Sequence, residues 1–493
     1  MHRPVIAVLL LGLLGGTVRA DDWPQFRGPN CSGIASGSKA MPVEFSETKN
    51  VLWSVELGDG VGSPIIADGK VYISAVGDPG HVALFAFDAD DGRFRWGKQW
   101  ETGDVADVHK TNSQASTTPA SDGKRVYFYY STVGLVALDC DNGKVRWHRT
   151  MPEPYFVFKW GPAMSPIVYR DKVIFCQDDD LYPSIQAFDS KTGELVWKDD
   201  RGDMAVNYSH PIVCTSPRGD ELVVGGTGIL VGYDPANGKR LWHSRTLLRN
   251  IKTTPVSFNG IVYVAQQSGG IANQWLATAD GAESEGGNND GKLTKAEMQA
   301  FVGKRTIPEA FFKRTFDKGD VNKDGVLEGV ELDKAFLSAD NFAGARFDAK
   351  DAGDQAIHAV RGGGRGDVTK THVLWKHEPE HIDHIVSPLV VDGRMLLVKG
   401  GGIATCFDIK TGKTLWGPKR IDNASDYFAS PIYADGKIYV AGENGIIVVL
   451  KSSAKLEILA KNDIGDSVVG TPAIADGRLY VRTRSKLVCV GLK

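Results

Sequence analysis

A run of twelve residues in the second half of the chain has the residue types and spacing of a calcium-binding loop. Residues 320–331 read Asp-Val-Asn-Lys-Asp-Gly-Val-Leu-Glu-Gly-Val-Glu. A calcium loop of this length takes side-chain oxygens from positions 1, 3 and 5, a carbonyl from position 7, a further ligand at position 9 and a bidentate glutamate at position 12. The residues at these positions are Asp320, Asn322, Asp324, Val326, Glu328 and Glu331. Oxygen ligands in this number favour Ca²⁺, so we predict a calcium site here.

A weaker copy of the same frame begins thirty-four residues earlier. Its matching positions are Asn288, Asp290, Lys292 (through its carbonyl), Thr294 and Glu297. The first position is Gly286, which lacks a carboxylate unless Glu285 or Asp280 substitutes. Leu293 and Leu327 occupy matching places in the two loops, as in the short strand pairing that joins two EF-hands. The pattern therefore predicts an EF-hand pair and leaves calcium binding by the first loop open.

A second group of polar and aromatic residues could line a ligand-binding funnel. They lie in long links or just before apolar strands: His109, Asn112, Trp160, His210, Lys252, His384 and Tyr427. Ordinary loop packing is the alternative interpretation. His377, His381 and His384 could bind a transition metal, but their connector contains a proline and has no helical period. The acidic run 178–180 could help to bind a cation, but we favour its interpretation as a solvated acidic loop.

Repeated sequence units form the scaffold that positions these candidate residues. Five copies of Asp-x-x-x-Gly-x-x-x-Trp end at Trp96, Trp147, Trp197, Trp242 and Trp416. We interpret each as a hairpin with a tight glycine turn and a buried tryptophan peg. A second repeat, in which Ser, Thr or His precedes Pro, occurs eight times, at spacings of 41 to 55 residues apart from one of 133. A period in the forties with four short strands per unit is typical of propeller blades.

The last unit ends without a fourth strand, and residues 51–53 supply a strand that has no unit before it. Assigning that strand to the last unit gives eight peg positions, namely Trp53, Trp96, Trp147, Trp197, Trp242, Trp375, Trp416 and, degenerate, Leu459. The sequence thus predicts an all-β, eight-bladed propeller closed by its two ends, with a small helical insertion. The expected division is an export signal at 1–20, the propeller at 21–272 and 353–493, and the EF-hand insertion at 273–352.

Residues 187–197, Ala-Phe-Asp-Ser-Lys-Thr-Gly-Glu-Leu-Val-Trp, resemble the tryptophan-docking motif of propeller repeats of the pyrroloquinoline-quinone (PQQ) type. Residues 23–28, Trp-Pro-Gln-Phe-Arg-Gly, are similar to the opening of many exported members. The family includes quinoprotein dehydrogenases and non-enzymatic propellers such as an outer-membrane assembly lipoprotein. The resemblance implies either a binding or assembly module or a PQQ-dependent alcohol or sugar dehydrogenase. The first is favoured, because no Asp matches the dehydrogenase base and no adjacent cysteine pair is present.

The net charge indicates which partners are not expected, and the first twenty residues indicate where the protein is located. A net charge of −3 over 493 residues does not favour a nucleic-acid partner. Arg3, the short apolar run 5–14 and the small-residue site 18–20 predict a cleaved export signal, not a membrane span. We therefore expect a periplasmic or secreted protein that binds a protein or small molecule on its loop face. Five of the six cysteines, Cys140, Cys176, Cys214, Cys406 and Cys489, fall in or beside different units, which favours buried free thiols.

Overall fold

The computed structural model describes residues 22–37, 39–103, 108–156, 160–202, 207–226, 229–245, 252–266, 279–281, 286–303, 305–336, 356–377, 386–422 and 425–492. The predicted export signal at 1–20 lies outside the described residues, as do His381 and His384.

The strands, in chain order, are β1 (Val51–Glu56), β2 (Ile65–Ala67), β3 (Lys70–Val76), β4 (His81–Asp88), β5 (Phe94–Glu101), β6 (Ala120–Ser121), β7 (Arg125–Tyr130), β8 (Gly134–Asp139), β9 (Val145–Arg149), β10 (Ile167–Tyr169), β11 (Lys172–Gln177), β12 (Ser184–Asp189), β13 (Leu195–Asp200), β14 (Ile212–Ser216), β15 (Gly219–Gly226), β16 (Ile229–Tyr233), β17 (Arg240–Ser244), β18 (Val256–Phe258), β19 (Ile261–Gln266), β20 (Leu293–Thr294), β21 (Val326–Leu327), β22 (Ala356–Arg361), β23 (Gly366–Asp367), β24 (Val373–His377), β25 (Leu389–Val391), β26 (Arg394–Lys399), β27 (Ile403–Asp408), β28 (Thr414–Arg420), β29 (Ile432–Ala434), β30 (Lys437–Ala441), β31 (Ile446–Lys451), β32 (Ile458–Asp463), β33 (Ala473–Ala475), β34 (Arg478–Arg482) and β35 (Lys486–Gly491). The α-helices are α1 (Lys295–Val302), α2 (Glu309–Arg314), α3 (Phe316–Gly319) and α4 (Val330–Phe336), and short 3-10 turns span Pro29–Cys31 and Gly400–Gly402.

These strands form eight antiparallel blades, which confirms the predicted eight-bladed propeller. Blades 1 to 4 are β2–β5, β6–β9, β10–β13 and β14–β17, and blades 6 and 7 are β25–β28 and β29–β32. Blade 8 has the order β1-β35-β34-β33, so the first strand completes the last blade as expected. Blade 5 pairs β18, β19, β22 and β24, with residues 267–355 between the neighbouring strands β19 and β22.

The tryptophans hold neighbouring blades together. The indole N–H of Trp147 in blade 2 donates to the Ser190 carbonyl in blade 3 at 3.0 Å. The same ring covers Gly193, which has φ +69°, and a Cβ added there would lie 2.5 Å from the ring. The turn therefore needs glycine at this position for two reasons, its backbone conformation and the close approach of the indole.

The repeat has three exceptions among the described blades, and one of them is Trp416, whose indole N–H has no partner within the described residues. Trp242 donates to the Glu221 carboxylate of its own blade, where β23 adds a fifth strand parallel to β17. In blade 7, Ala460 pairs with Val449 at the register of the peg, while Leu459 lies in a β-bulge and is 41% exposed. The prediction of Leu459 as the eighth peg is therefore wrong by one residue, because the hairpin turn before it is one residue longer than in the copies of the Asp-x-x-x-Gly-x-x-x-Trp motif. The Lys451 N–H donates to the Glu457 carbonyl, whereas the matching Asp189 N–H donates to the Glu194 carbonyl.

The N-terminal segment, residues 22–50, crosses the ends of the inner strands and is fixed to most of the ring. Trp23 forms a β-bridge with Ile66 in blade 1, and Asn30 exchanges two hydrogen bonds with the backbone of Val213 in blade 4. Further contacts reach Ser121, Val168, Pro388 and Tyr433 in blades 2, 3, 6 and 7. Phe26, from this segment, lines the cavity at the centre of the ring of blades, which is hereafter called the channel.

The helical part of the insertion packs on blade 3, although it leaves the ring from blade 5. Its buried apolar core includes Met298, Phe311 and Phe316, and Leu181 from the β11–β12 link of blade 3 joins this core. Arg305 donates to the Pro154 carbonyl at 3.0 Å in the link before blade 3. The insertion is thereby anchored across the loop face.

All six cysteines are buried and free, which agrees with the expectation from their positions. No described helix is both long and apolar enough to cross a membrane.

Candidate functional site

Hydroxyl groups from the Ser/Thr-Pro repeat form a hydrogen-bonded ring around the channel. The Ser63 N–H in blade 1 donates to Oγ1 of Thr118 in blade 2, and the Thr118 N–H donates to Oγ of Ser165 in blade 3, both at 3.0 Å. In blade 8, the Thr471 N–H donates to Ser63 Oγ at 3.0 Å. Bonds of the same kind join His210 to Thr254, Thr254 to Ser387 and Ser430 to Thr471. The inner strands are thus linked side to side at the level of the cavity.

A cavity of about 270 Å³ lies at this ring. Five of the predicted funnel residues line it, namely Asn112, Trp160, His210, Lys252 and Tyr427. His109 lies at the rim, where its ring centroid is 4.3 Å from that of Trp160. The sequence therefore identified much of the cavity wall. It missed the hydroxyl ring, although the signal was present in the Ser/Thr-Pro repeat itself.

The outer wall carries a lysine on an aromatic surface. Lys252 Nζ lies 4.8 Å from the centroid of the Trp160 ring, within cation–π distance. Desolvation at the cavity lowers the pKa of Lys252. Asn112 donates to the Trp160 carbonyl at 2.7 Å and so fixes the link that carries the indole.

The inner end of the cavity is formed by a histidine stacked on the N-terminal segment. The rings of Phe26 and His210 stack at 4.5 Å. His210 Nδ1 lies 3.2 Å from Thr254 Oγ1, while its Nε2 is buried and has no partner in the described part of the chain. Burial, with the charge of Arg27 as a smaller cause, lowers the pKa of His210 to about 4. The imidazole is therefore neutral at neutral pH.

In the second predicted calcium loop, two carboxylates accept hydrogen bonds from the loop backbone. Asp320 accepts hydrogen bonds from the backbone N–H groups of Asp324 and Gly325, both at 3.1 Å. Glu331 Oε1 accepts from the Val321 N–H at 3.1 Å, and its Oε2 is buried with no partner among the described residues. That free carboxylate oxygen at position 12 fits a loop that takes up a cation.

The first loop has the same frame, with Asp280 in place of the missing carboxylate at Gly286. Asp280 accepts from the N–H groups of Asp290 at 3.2 Å and Gly291 at 2.9 Å, as Asp320 does in the second loop. Glu297, at position 12, instead accepts from the Thr294 N–H and hydroxyl and caps α1. The alternative that the sequence left open is thus realised in the backbone contacts.

The remaining predicted ligands lie in or beside these loops. Asn322 and Asn288 each accept the N–H two residues on, at Asp324 and Asp290, and Lys292 forms an ion pair with Glu328 at 2.8 Å. The Val326 backbone lies in β21, which pairs with β20 through Leu293 and Leu327 as predicted. In the described residues, no group of three or more His, Cys, Asp or Glu side chains is close enough to hold a metal ion. Calcium would have to draw the loop carboxylates together.

The acidic run at 178–180 is buried, so its interpretation as a solvated loop is wrong. Asp178 forms an ion pair with the fully buried Arg201. Asp179 accepts the backbone N–H groups of Tyr155 and Tyr182, and burial raises its pKa to about 7. The run is buried because Arg201 neutralises Asp178 and the insertion packs over the neighbouring Leu181.

Comparison with known proteins places the chain in a family. The family model described as outer membrane protein assembly factor BamB matches residues 37–155, 160–302 and 344–493. The chain belongs to this family. The BamB of Shewanella oneidensis is 20% identical over 435 residues, which span 84% of this chain and 91% of that protein. The crystal structure of BamB from Moraxella catarrhalis has the same fold, with a TM-score of 0.53 and 14% identity over 90% of this chain and 97% of that one.

A quinoprotein is also similar to part of this BamB-family chain. The quinohemoprotein alcohol dehydrogenase ADH IIB of Pseudomonas putida is 27% identical over 250 residues, 47% of this chain and 35% of the dehydrogenase. Ca²⁺ takes oxygen ligands, and carboxylates of Asp or Glu are usually among them. The described cavity wall contains hydroxyls, His210 and Lys252 but no Asp or Glu. Those residues do not fit a calcium–quinone centre.

Proposed function

We propose that the chain is an exported, calcium-binding member of the BamB family that acts as a binding or assembly module through its loop face, in the periplasm or outside the cell. The cavity wall carries this proposal. Its described residues offer hydrogen-bond donors and aromatic surface and no carboxylate that could act as a general base. Links that differ in length, with an anchored helical insertion, suit this face for recognition.

Site-specific photo-crosslinking in the native host tests the binding function. A photoreactive residue at Lys110, exposed on a link of the loop face, is expected to form defined protein adducts. The matched control is Lys191, which is equally exposed but lies on the hairpin between β12 and β13 at the opposite face. Absence of adducts at Lys110, or the same adducts at both positions, would contradict a binding role for the loop face.

The alternative function is a PQQ-dependent dehydrogenase acting on an alcohol or sugar. Its support is the partial similarity to the Pseudomonas putida enzyme. We expect no dye-linked alcohol oxidation after reconstitution with PQQ and Ca²⁺, because the described wall provides no carboxylate base. Turnover that depends on PQQ and is lost in Lys252→Gln would establish the alternative instead.

The calcium part of the proposal rests on the second loop. Asp320, Asn322, Asp324 and Glu331 can supply side-chain oxygens, and the unpartnered Glu331 Oε2 is already buried at the loop. Bound calcium would stabilise the helices on either side of the loop, and through them the contact with blade 3. The ion would thus hold the insertion in place on the loop face.

Removal of calcium is expected to make the insertion sensitive to protease while the propeller stays folded. A ligand that binds only the folded form stabilises it by about 2.7 kcal/mol at a hundredfold excess over its Kd. Limited proteolysis with and without a chelator, read by mass spectrometry, measures the effect. Cleavage should concentrate between residues 273 and 352 and should be reversed by added Ca²⁺.

Two substitutions separate binding from general damage to the insertion. Glu331→Gln should remove most of the protection by calcium. Glu309→Gln should not, because Glu309 is exposed in the same insertion, belongs to neither loop and forms only a long ion pair of 3.9 Å with Lys313. Equal protection in both variants, or no calcium heat for the wild type in calorimetry, would contradict the site.

A further inference from the structure

Arg27, the residue after Phe26 of the cavity wall, is buried and has no counter-ion among the described residues. Arg27, in the N-terminal segment, is fully buried, and its Nη2 donates to the Pro388 carbonyl at 2.6 Å. Its Nε and Nη1 are buried and have no partner in the described ranges. Burial lowers the pKa of Arg27 to about 10, so the guanidinium stays charged at neutral pH. An isolated buried charge is costly, so an anionic ligand bound nearby would be favoured.

The groups near Arg27 do not supply that negative charge. The neighbouring Cys31 has a pKa raised to about 12 by burial, so its thiol is protonated and neutral. Gln25 contacts the Cys31 sulfur and not the guanidinium. Across the described portion of the chain, Arg27 forms no ion pair with an Asp or Glu.

Arg27 adjoins the cavity through two of its wall residues. The preceding residue, Phe26, lines the cavity and stacks on His210, and the pKa of His210 is lowered by the charge of Arg27 as well as by burial. On the other side, Arg27 holds the carbonyl of Pro388, which follows the wall residue Ser387. The positive field of the guanidinium therefore reaches the inner end of the cavity.

The polar groups of the wall are oriented as donors. The hydroxyl oxygens of Ser63, Thr118 and Ser387 each already accept a backbone N–H from the preceding blade, which leaves their O–H protons to be donated. Thr254 Oγ1 likewise accepts the His210 N–H and can donate to His210 Nδ1, which places the ring proton on the unpartnered Nε2. With Lys252 at the outer end, the described wall combines several donors and one cation.

We propose that this channel binds a small organic carboxylate, with its charged end among His210 Nε2, the hydroxyl ring and the field of Arg27, and its apolar part against Phe26 and Trp160. The cavity of about 270 Å³ limits the ligand to less than drug size, since sites for drug-sized ligands begin at about 300 Å³. The Trp160 indole, with Lys252 beside it, suits a flat or aromatic body. This site is independent of protein binding at the loop face.

Benzoate is a suitable probe, and benzyl alcohol is its uncharged counterpart. Calorimetry and thermal unfolding of the full chain at low salt should show that benzoate binds and raises Tm. Benzyl alcohol should bind at least about tenfold more weakly, which corresponds to about 1.4 kcal/mol in binding free energy. Inorganic phosphate tests whether charge alone suffices, and it should bind more weakly than benzoate because it cannot use the aromatic wall. Equal binding of benzoate and benzyl alcohol, or no binding of benzoate, would overturn the proposal.

Arg27→Met and Lys252→Gln locate the site. Replacing an unpaired buried charge by an apolar side chain of similar length is expected to leave the Tm of the free protein unchanged or raised, while the gain in Tm from benzoate is lost. Lys252→Gln, on the outer wall, should weaken benzoate about tenfold. Lys144→Gln, in an exposed hairpin, is the charge-matched control. If Arg27→Met does not fold, the comparison of benzoate affinity between Lys252→Gln and Lys144→Gln still tests the proposal. Equal affinities for benzoate in those two variants would refute the assignment of the site to this cavity. The crosslinking result at Lys110 is unaffected by either outcome.

Discussion

Trp197→Ala is expected to lower the free energy of unfolding by about 3–5 kcal/mol, the usual loss for a large buried aromatic residue. The Trp197 indole is 7% exposed, donates to the Pro235 carbonyl of blade 4 at 3.1 Å and covers Gly238. Its removal leaves a cavity between blades 3 and 4 and an unpaired carbonyl. Denaturant unfolding followed by fluorescence and circular dichroism measures the loss.

Two variants test whether docking between blades causes that loss. Gly238→Ala should also be strongly destabilising, because Gly238 has φ +73° and a Cβ there would lie 2.4 Å from the Trp197 ring. Trp416→Ala should cost less, because Trp416 is only half-buried and its indole N–H has no partner within the described residues. Equal losses for Trp197→Ala and Trp416→Ala would show that the docking contact is unimportant.

Arg201→Met is expected to cost about 3–5 kcal/mol, because it leaves the Asp178 carboxylate buried and unpaired. The guanidinium donates to Asp178 through Nε and Nη2, both at 2.8 Å. It also donates to the Gly225 carbonyl at 2.8 Å and the Tyr233 hydroxyl at 2.6 Å in blade 4. The pair thus joins the β11–β12 link of blade 3 to the next blade.

The loss from Arg201→Met should depend on pH. Burial raises the pKa of Asp178, and the charge of Arg201 is the largest opposing influence. Without Arg201 the folded-state pKa stays above the unfolded value, so the variant's stability falls as pH rises through it and recovers at lower pH. Unfolding measured at about pH 5 and about pH 8 should therefore show the larger deficit at the higher pH. Adding Asp178→Leu should restore part of the stability, and a double variant no better than Arg201→Met would contradict this account.

The blade count was predictable because the information for each hairpin is local. Asp189, Gly193 and Trp197 specify strand, turn and peg within nine residues, and copies of that pattern give the period. The single-residue error at Leu459 arose where no tryptophan marks the register and the hairpin turn is one residue longer than in the copies that carry the motif. The ends of the chain could be assigned to one blade because a strand was missing at one end and unmatched at the other.

The features that were not predicted depend on contacts between distant parts of the chain. The burial of the acidic run could not be predicted, because its partner Arg201 follows β13 and the helices that cover the neighbouring Leu181 come from the insertion in blade 5. The burial of Arg27 could not be predicted from the sequence, because the residues around it, such as Pro388, are far away along the chain. Asp280 was one of two candidates for the missing carboxylate, and its contacts with Asp290 and Gly291 could not be read from the sequence, while Glu285 lies outside the described residues.

The shared eighth blade has a consequence for the order of folding. The Trp53 backbone pairs with Cys489, and the Phe45 N–H donates to Asn462, so these early residues lack those partners until almost the whole chain is available. Pairings so distant in sequence slow folding and prolong the exposure of unpaired edges. A chain that stops before β35 would leave β1 without its neighbour and present an open apolar edge, which is a site for aggregation. A chaperone that protects the early segment until the last strand emerges would therefore have its largest effect on this part of the molecule.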